Sequence, residues 1–282
     1  MIRACLVASL TAAAIFIAAP THAQTVVGDP ATTPVEGRTY PYLDLIRLAV
    51  PGVVKEGDAY RTGAPLELRH IDGDRERTVK IAEGTPMGAP MALPVQSEGH
   101  RRVAMMLDLG AAPDSAEGIA MLALFDVDHE PKLLDTANVA YDRLTGFADP
   151  PNLTLWDGST PLLISSGHWN SNQTYEFYAM VDLHSDRLRL IDSLFMLSDH
   201  GCGYERVLRP RFMVTGSPKE PAIRATVTEI VKRLEESCQG QPLPKAGKRK
   251  ISVTYTWQPK DQRFVKSSNA FERLADEMET RF

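Results

Sequence analysis

The run GIAMLALFDV at residues 118–127 opens the most regular stretch of the chain. Three more apolar runs follow it: PLLISSG (161–167), TYEFYAMVDL (174–183) and DRLRLIDSLF (186–195). Each run is short, carries β-branched or aromatic residues, and is bounded by Asp, Asn, Gly or Pro, which is typical of strands joined by turns. We therefore predict that these runs are strands of an antiparallel meander.

The same pattern continues on both sides of this stretch. Similar runs predict strands at 101–110, 131–139, 206–215, 222–231 and 250–257, with a helix as the alternative for 222–231. Near the C-terminus, Asn269 is a suitable helix N-cap, and the apolar residues after it recur at helical spacing. The prediction is a mainly β chain of antiparallel meanders with a short C-terminal helix. A propeller-like arrangement is the first choice for its architecture and a two-sheet sandwich the second.

The first hundred residues give less regular signals. Residues 40–50 are a Leu-rich run that ends at Pro51-Gly52, and of the two structures that fit it, a helix and a strand, we predict the helix. Residues 64–81 alternate on both sides of turn-forming residues, which predicts a hairpin. Three prolines in 84–94 argue against a central strand, so we predict a loop or an edge connection there.

The first 23 residues have the layout of a secretory signal peptide. Arg3 gives a positive start, residues 6–19 are apolar, and small residues precede Gln24. The apolar part is too short for a membrane span, although a retained anchor is the alternative. We expect a mature protein that begins near Gln24 and is periplasmic or secreted.

Export also determines how the remaining chain is interpreted. Once Cys5 leaves with residues 1–23, Cys202 and Cys238 remain, and an even pair in an exported chain predicts one disulfide. Two free buried thiols are the alternative. Residues 24–38 are rich in Thr, Pro, Gly and Asp, which predicts a flexible lead-in, and residues 39–282 predict a single β-rich domain.

The composition is that of an ordinary soluble globular protein. Hydrophobic residues make up 43% and charged residues 24% of the chain, whose formal charge is −5. Without the signal peptide, 30 basic residues face 36 acidic ones, and they are scattered along the sequence. This pattern predicts no electrostatic footprint for nucleic acid or for an anionic membrane.

The loop between the second and third runs is the best candidate site in the sequence. His168, Asn170, Asn172 and Gln173 offer hydrogen-bond donors and acceptors, and Trp169 offers a flat apolar face. This mixture suits a carbohydrate or another small polar ligand. The alternative is that Asn and Ser only form the turn, with Trp169 packed beneath it.

A second candidate is an acidic turn that contains Asp126 and Asp128 and could hold calcium through oxygen ligands. The loop lacks the expected Gly, so solvated acids are the preferred interpretation and no metal is predicted. The phrase LFDVD…LLDT at 124–136 resembles the strand–acidic turn–strand phrase of FG-GAP/VCBS-type propeller repeats. The hairpin YTW…RFV at 255–265 is similar to another found in such exported β proteins. The resemblance implies a propeller-like or repeated meander.

The sequence contains no nucleophile elbow, cofactor motif or metal-ligand spacing. We therefore expect an exported, non-catalytic binding or cell-envelope-associated protein without a cofactor, whose partner is a small polar ligand or an envelope component. The alternative is a secreted hydrolase acting on saccharide or peptide. It would use His168, His200 and one of Asp126, Asp128 or Asp199.

Overall fold

A computed structural model describes residues 24–72, 77–111, 117–235, 238 and 243–281. The predicted signal peptide lies outside these residues. The structure is 59% strand and 7% helix, so the predicted mainly β class with a short C-terminal helix is confirmed. No helix in the described part of the chain has both the length and the apolar character needed to cross a bilayer.

The elements follow one another in long antiparallel succession. In the first half they are β1 (Thr25–Val26), α1 (Tyr42–Ala49), β2 (Val54–Glu56), β3 (Ala59–Arg61), β4 (Leu66–Arg69), β5 (Thr78–Ile81), β6 (Pro86–Met87), β7 (Met91–Ser97), β8 (His100–Ala111), β9 (Gly118–Asp126) and β10 (Lys132–Asn138). In the second half they are β11 (Leu144–Asn152), β12 (Leu162–Trp169), β13 (Gln173–His184), β14 (Arg187–Gly201), β15 (Tyr204–Ser217), β16 (Glu220–Arg233), β17 (Gly247–Gln258), β18 (Arg263–Lys266) and α2 (Ala270–Glu279). The four apolar runs between residues 118 and 195 are thus β9, β12, β13 and β14, and β9 lies in a different sheet from the other three.

These strands form two large sheets and two small ones. Sheet 1 has the order β1-β7-β8-β9-β10, and sheet 2 runs sequentially from β11 to β18. The small sheets are β2-β3-β6 and the β4-β5 hairpin, which the sequence predicts. The helix predicted at 40–50 is α1. The described strands form no propeller, so the first-choice architecture is wrong.

The arrangement is layered because the central strands of sheet 1 are apolar on both faces. On one face, Met121 of β9 packs in a cluster with Leu45 of α1. On the other face, Leu122 packs in a cluster with Ile164 of β12. A sheet that is apolar on both sides must be covered on both sides. Sheet 1 therefore lies between α1 and the first strands of sheet 2.

Residues 24–38, predicted as a flexible lead-in, instead contribute to the fold. β1 pairs with β7, with Thr25 opposite Ala92. Val27 and Val35 are buried in the cluster that contains α1. The prolines, glycines and threonines of this segment form turns that bring two valines into the core. A turn-rich composition alone does not reveal such burial.

The segment 84–94, predicted as a loop or edge connection, leads into β7 with a proline inside the strand. Pro94 pairs with Val103 of β8, while β1 covers only the first two residues of β7 on the other side. Beyond β1, the backbone N–H of Gln96 donates to Oγ1 of Thr160 at 3.0 Å. Pro94 therefore occupies an open part of the sheet edge, where its missing N–H leaves no acceptor unpaired.

Sheet 2 opens between β14 and β15. These strands pair at only three positions, whereas β14 pairs with β13 along most of its length. Helix α2 fills the opening, with Phe271, Leu274 and Met278 buried among residues of both halves of the sheet. The backbone N–H of Leu197 donates to the sulfur of Met278 at 3.1 Å. The C-terminal helix is thus a structural part of sheet 2.

Cys202 and Cys238 lie at disulfide distance, as the cysteine count predicts. Their sulfur atoms are 2.08 Å apart and their Cα atoms 5.8 Å apart. Cys202 lies in the turn between β14 and β15, and Cys238 lies in the connection between β16 and β17. The pair therefore joins two connections of sheet 2.

Candidate functional site

The site loop predicted from the sequence is the hairpin between β12 and β13. His168 and Trp169 end β12, and Gln173 begins β13. Oδ1 of Asn170 accepts the backbone N–H groups of Asn172 and Gln173 at 2.9 and 2.8 Å. Asn170 therefore shapes the turn. Trp169 is 69% exposed, so its ring face is open to solvent.

His168 makes the tightest polar contact of this hairpin. Its Nδ1 contacts Oδ2 of the buried Asp142, and its ring stacks on Tyr175 with 4.4 Å between centroids. Within the described residues, no Ser, Thr or Cys side chain hydrogen-bonds to this ring. The hydroxyl of Ser166 lies 2.8 Å from that of Thr145 instead. The result is an oriented imidazole without the nucleophile that a triad needs.

The two aspartates of the acidic turn that was considered for calcium each contact a basic side chain. Asp126 contacts the guanidinium of Arg102, and Oδ2 of Asp128 lies 3.1 Å from Nδ1 of His100. Across the residues that the structure describes, no group of three His, Cys, Asp or Glu could hold a metal ion. The two aspartates thus take part in side-chain pairing at the end of sheet 1.

The hydrolase hypothesis requires His168, His200 and an acid to come together. His200 and Asp199 line an open depression of about 520 Å³ with the tip of the β12–β13 hairpin, and His168 is not part of that lining. Asp199 already accepts hydrogen bonds from Tyr204 at 2.6 Å and from Arg206 at 3.0 Å. Its oxygens are engaged in the structure of sheet 2.

A more enclosed cavity lies elsewhere, where β13 ends and β14 begins. It has a volume of about 190 Å³, and its walls come from the β7–β8 turn, the β11–β12 connection, the end of β13 and the β17–β18 hairpin. Acidic, aromatic and aliphatic side chains all line it. We call this cavity the aromatic pocket, after Trp257 and Phe264 in its wall.

Asp182 is the most unusual side chain of the aromatic pocket. It lies near the end of β13, and only 8% of it is exposed. Burial raises the pKa of its carboxyl to about 6, against the opposing effects of His184, the backbone of Leu183 and Arg189, while Asp157 adds to the rise. A carboxyl perturbed in this way inside a cavity is a functional-site candidate.

Two residues further along β13, His184 connects the acidic and aromatic parts of the wall. Its Nδ1 lies 3.1 Å from Oε1 of Glu98, and its ring meets that of Trp257 edge to face, with 5.0 Å between centroids. Trp257 meets Phe264 in the same manner at 5.3 Å. Nε2 of His184 is buried and has no hydrogen-bond partner in the described part of the chain. The imidazole therefore has one ring nitrogen that the described residues leave unsatisfied.

A larger cleft of about 710 Å³ adjoins the aromatic pocket, and Asp182 and Phe264 line both. Strands β4, β14 and β18 contribute to its walls. Arg69 in this cleft donates to Asp135 at 2.6 Å and to the carbonyl of Leu188 at 2.7 Å. The cleft and the pocket thus share part of a wall, and Arg69 of the cleft has its hydrogen-bond partners within the protein.

The buried His70 and the partly buried Tyr141 also line the cleft. Nε2 of His70 bonds to the carbonyl of Ala140 at 2.9 Å, and burial lowers the pKa of this imidazole. The hydroxyl of Tyr141 donates to the carbonyl of Ile71 at 3.0 Å, and burial raises its pKa to about 12. Both groups are neutral at pH 7 and bonded to backbone, so they shape the cleft wall.

Sequence reasoning did not identify Asp182, although one signal was present. In the run TYEFYAMVDL, Val181 and Leu183 face sheet 1, and Met180 faces the core around α2. A strand that is apolar on both faces is buried on both sides, so the aspartate at 182 interrupts a buried surface. The pairing of His184 with Glu98 and the approach of Trp257 depend on contacts between distant strands, which the sequence does not display.

Comparison of the chain with protein-family models, with curated proteins and with solved structures finds no match.

Proposed function

We propose that this chain is an exported, non-catalytic binding protein whose aromatic pocket holds a small organic cation. The composition of the pocket wall carries this proposal. Glu98, Asp157 and Asp182 line the wall together with Trp257 and Phe264, and none of the described residues that line it is Lys or Arg. An acidic, aromatic and enclosed cavity is complementary to a cation that also has apolar substituents.

Each part of the wall suits a different part of such a ligand. The face of an aromatic ring attracts a cation with about 0.5–2 kcal/mol, depending on how far the site is desolvated. Leu155 and Pro221 are buried in the same wall and offer contacts for apolar substituents. The volume of about 190 Å³ fits a small organic ion. These features together favour an organic ammonium ion.

The burial of Asp182 gives the ligand charge an energetic role. An ionised carboxylate is unfavourable in a site that removes it from water without a full counter-ion. A bound cation supplies that counter-ion. Ionisation of Asp182 and binding of the cation therefore favour each other.

The rest of the chain is consistent with a role outside the cytoplasm. The predicted signal peptide at residues 1–23 supports export to the periplasm or secretion. A cysteine pair at disulfide distance suits an oxidising compartment. We propose that the protein captures its ligand there, and the β12–β13 hairpin with its exposed Trp169 stays a predicted surface for a further polar ligand or an envelope partner.

Calorimetric titration with matched ligands tests the proposal. We expect tetramethylammonium, butylamine and phenethylamine to bind at pH 7.5, and the neutral butanol and phenylethanol to bind at least tenfold more weakly, because they lack the charge. Trp257→Leu keeps an apolar side chain but removes the ring face, and it is expected to weaken ammonium binding by roughly 2- to 30-fold.

The hairpin provides the matched control. The double variant His168→Ala and Trp169→Ala should bind the ammonium ions as the unaltered protein does, because neither residue lines the aromatic pocket. Equal affinity for the amines and their neutral counterparts would contradict the proposal. Loss of amine binding in the hairpin variant would show that the amines bind at the hairpin and not in the aromatic pocket.

A second candidate, a secreted hydrolase acting on saccharide, is favoured by one observation. Asp182, whose pKa is raised to about 6, shares the pocket with Asp157. Glycoside hydrolysis uses such a pair, with the raised carboxyl as general acid. Turnover of a nitrophenyl glycoside that falls at least about 100-fold in Asp182→Asn would establish this function. Absence of turnover across a panel of such glycosides would exclude it.

A further inference from the structure

The solvent face of strands β15, β16 and β17 concentrates positive charge. Side chains alternate along a strand, so buried residues such as Ile223, Ala225 and Val227 alternate with outward ones. Six outward residues of these strands are basic and exposed. Lys232 lies 3.6 Å from Glu205, and the other five are Arg209, Arg211, Arg224, Lys248 and Lys250. We call these five residues the basic face.

The strand register places these cations around a strip of hydroxyl groups. Arg209 lies opposite Thr228, which lies opposite Lys250. In the next row, Arg211 lies opposite Thr226, whose Oγ1 is 2.8 Å from Oγ of Ser252. With about 6.8 Å between successive outward residues and about 4.8 Å between strands, the basic face measures roughly 20 Å by 10 Å.

The five cations have no side-chain partner in the part of the chain that the structure describes. None of them forms an ion pair or a side-chain hydrogen bond with any residue that the structure describes. The opposite face of the same strands behaves differently, because Arg206 and Arg249 both contact the buried Glu229. In a chain with a formal charge of −5, five unpaired cations on one face are a local reversal of sign. Such a reversal points to an anionic partner.

We propose that the basic face binds a linear anionic polysaccharide. The cations lie along a narrow strip, so a single polymer strand can contact them all. The hydroxyls of Thr226, Thr228 and Ser252 lie between the cations and can bond to the hydroxyl and acidic groups of sugars. This surface is separate from the aromatic pocket and does not depend on what the pocket binds.

Other anionic macromolecules fit the basic face less well. Among the described outward positions of β15 to β17 there is no aromatic ring on which a nucleic acid base could stack. The face is bordered by acids, Glu205 at one end and Glu220 at the other, and a broad bilayer surface would meet these as well as the cations. A slender polymer contacts the strip alone.

Binding of polygalacturonate, a linear polymer of negatively charged sugars, tests the inference. We expect the purified protein to bind it at 50 mM salt, to lose most of that binding at 500 mM salt, and to bind neutral dextran at least tenfold more weakly. The triple variant Arg209→Gln, Arg211→Gln and Lys250→Gln should weaken polygalacturonate binding tenfold or more.

The matched control removes the same charges elsewhere. The control is a triple variant that also replaces two arginines and one lysine: Arg101→Gln, Arg143→Gln and Lys132→Gln. All three residues are exposed and distant in sequence from the basic face. The control variant should bind as the unaltered protein does. Equal weakening in both triple variants would overturn the inference, as would tighter binding to duplex DNA or to anionic lipid vesicles than to polygalacturonate. The basic-face variant should bind amines with the affinity of the unaltered protein. This outcome distinguishes failure of the basic-face inference from failure of the proposal for the aromatic pocket.

Discussion

At the scale of single residues, the ionised Asp182 lowers the stability of the folded protein, and we propose that the same carboxylate binds a cation. The residue is 8% exposed, and burial raises the pKa of its carboxyl to about 6. The ionised form is therefore less favourable in the folded protein than in the unfolded chain. Residues that destabilise a fold while lining a cavity are typical of functional sites, because function and stability make opposing demands there.

Replacement of Asp182 by Asn is expected to stabilise the protein at pH 7.5. An unperturbed carboxyl ionises near 3.8 and the folded one near about 6, so stability falls as the pH rises through this window. The Asn variant lacks this loss, and its free energy of unfolding should exceed that of the unaltered protein by up to about 3 kcal/mol. Urea denaturation at pH 7.5 and pH 3.5 measures the difference, which should vanish at the lower pH.

The matched control is Asp276→Asn on the exposed side of α2, which should change the free energy of unfolding by less than about 0.5 kcal/mol at either pH. An Asp182→Asn variant that is less stable than the unaltered protein at pH 7.5 would show that the carboxylate is satisfied by the fold. Its assignment to a ligand would then fail.

Site residues could be predicted only where local sequence carries the signal. The hairpin from His168 to Gln173 is visible because its polar residues are contiguous, and Asn170 does shape the turn. Asp182 becomes notable only when both faces of β13 are known to be buried. Trp257 reaches the same wall from a strand that lies far along the chain, so no local pattern could have paired them.

At the scale of elements, α2 and the opening of sheet 2 depend on each other. β14 and β15 pair at only three positions, and the space between them is filled by apolar side chains of α2. A helix of this length is not stable alone in water, so its packing supplies most of its stability. The helix in turn covers residues of β14 and β17 that would otherwise meet solvent.

Leu274→Ala tests this dependence. Leu274 is 2% exposed, so truncation should lower the free energy of unfolding by about 2–5 kcal/mol through lost burial and a residual cavity. Asp276→Ala in the same helix should cost less than about 0.5 kcal/mol. Thermal and urea denaturation measure both. Equal stability of the Leu274→Ala and Asp276→Ala variants would show that α2 is not needed to fill sheet 2.

The existence of most strands could be predicted, but their extents could not. β9, β12, β13 and β14 follow from apolar runs bounded by turn residues. The polar residues 198–201 have the composition of a loop, yet β14 continues through them because they pair with β13 and β15. Likewise, β1 and Pro94 of β7 depend on which part of a sheet edge is open. The extent of each strand depends on the strands it pairs with, and those strands lie far away in the sequence.

At the scale of the whole molecule, folding sorts charges that look scattered in the sequence. Alternation along β15, β16 and β17 places Arg209, Arg224 and Lys250 outward, while Glu229 faces inward with its arginines. The scattered charges of the sequence therefore give no sign of the basic face, whereas the folded sheet brings its five cations onto one surface. The layered packing of sheet 1 on sheet 2 could not be predicted from the sequence either, because the contact joins residues from separate halves of the chain.

The pocket and the basic face make different demands on an experiment. The pocket should respond to pH through Asp182, and the basic face should respond to salt because its charges are exposed. We expect a small organic cation to bind in the aromatic pocket and an acidic polymer to bind on the basic face. Such a combination suits a protein that acts at a cell envelope.

The affinity for tetramethylammonium as a function of pH tests the central claim most directly, because the charge of this ion does not change with pH. Glu98, Asp157, His184 and Arg189 also face or influence Asp182, so the unaltered protein is compared with Asp182→Asn. Titration calorimetry should show affinity falling about tenfold from pH 7.5 to pH 5 as Asp182 takes up a proton. The Asn variant should bind weakly with little change over this range. Equal affinity at both pH values in the unaltered protein, or full affinity in the Asn variant, would contradict the assignment of Asp182 as the counter-ion of a bound cation.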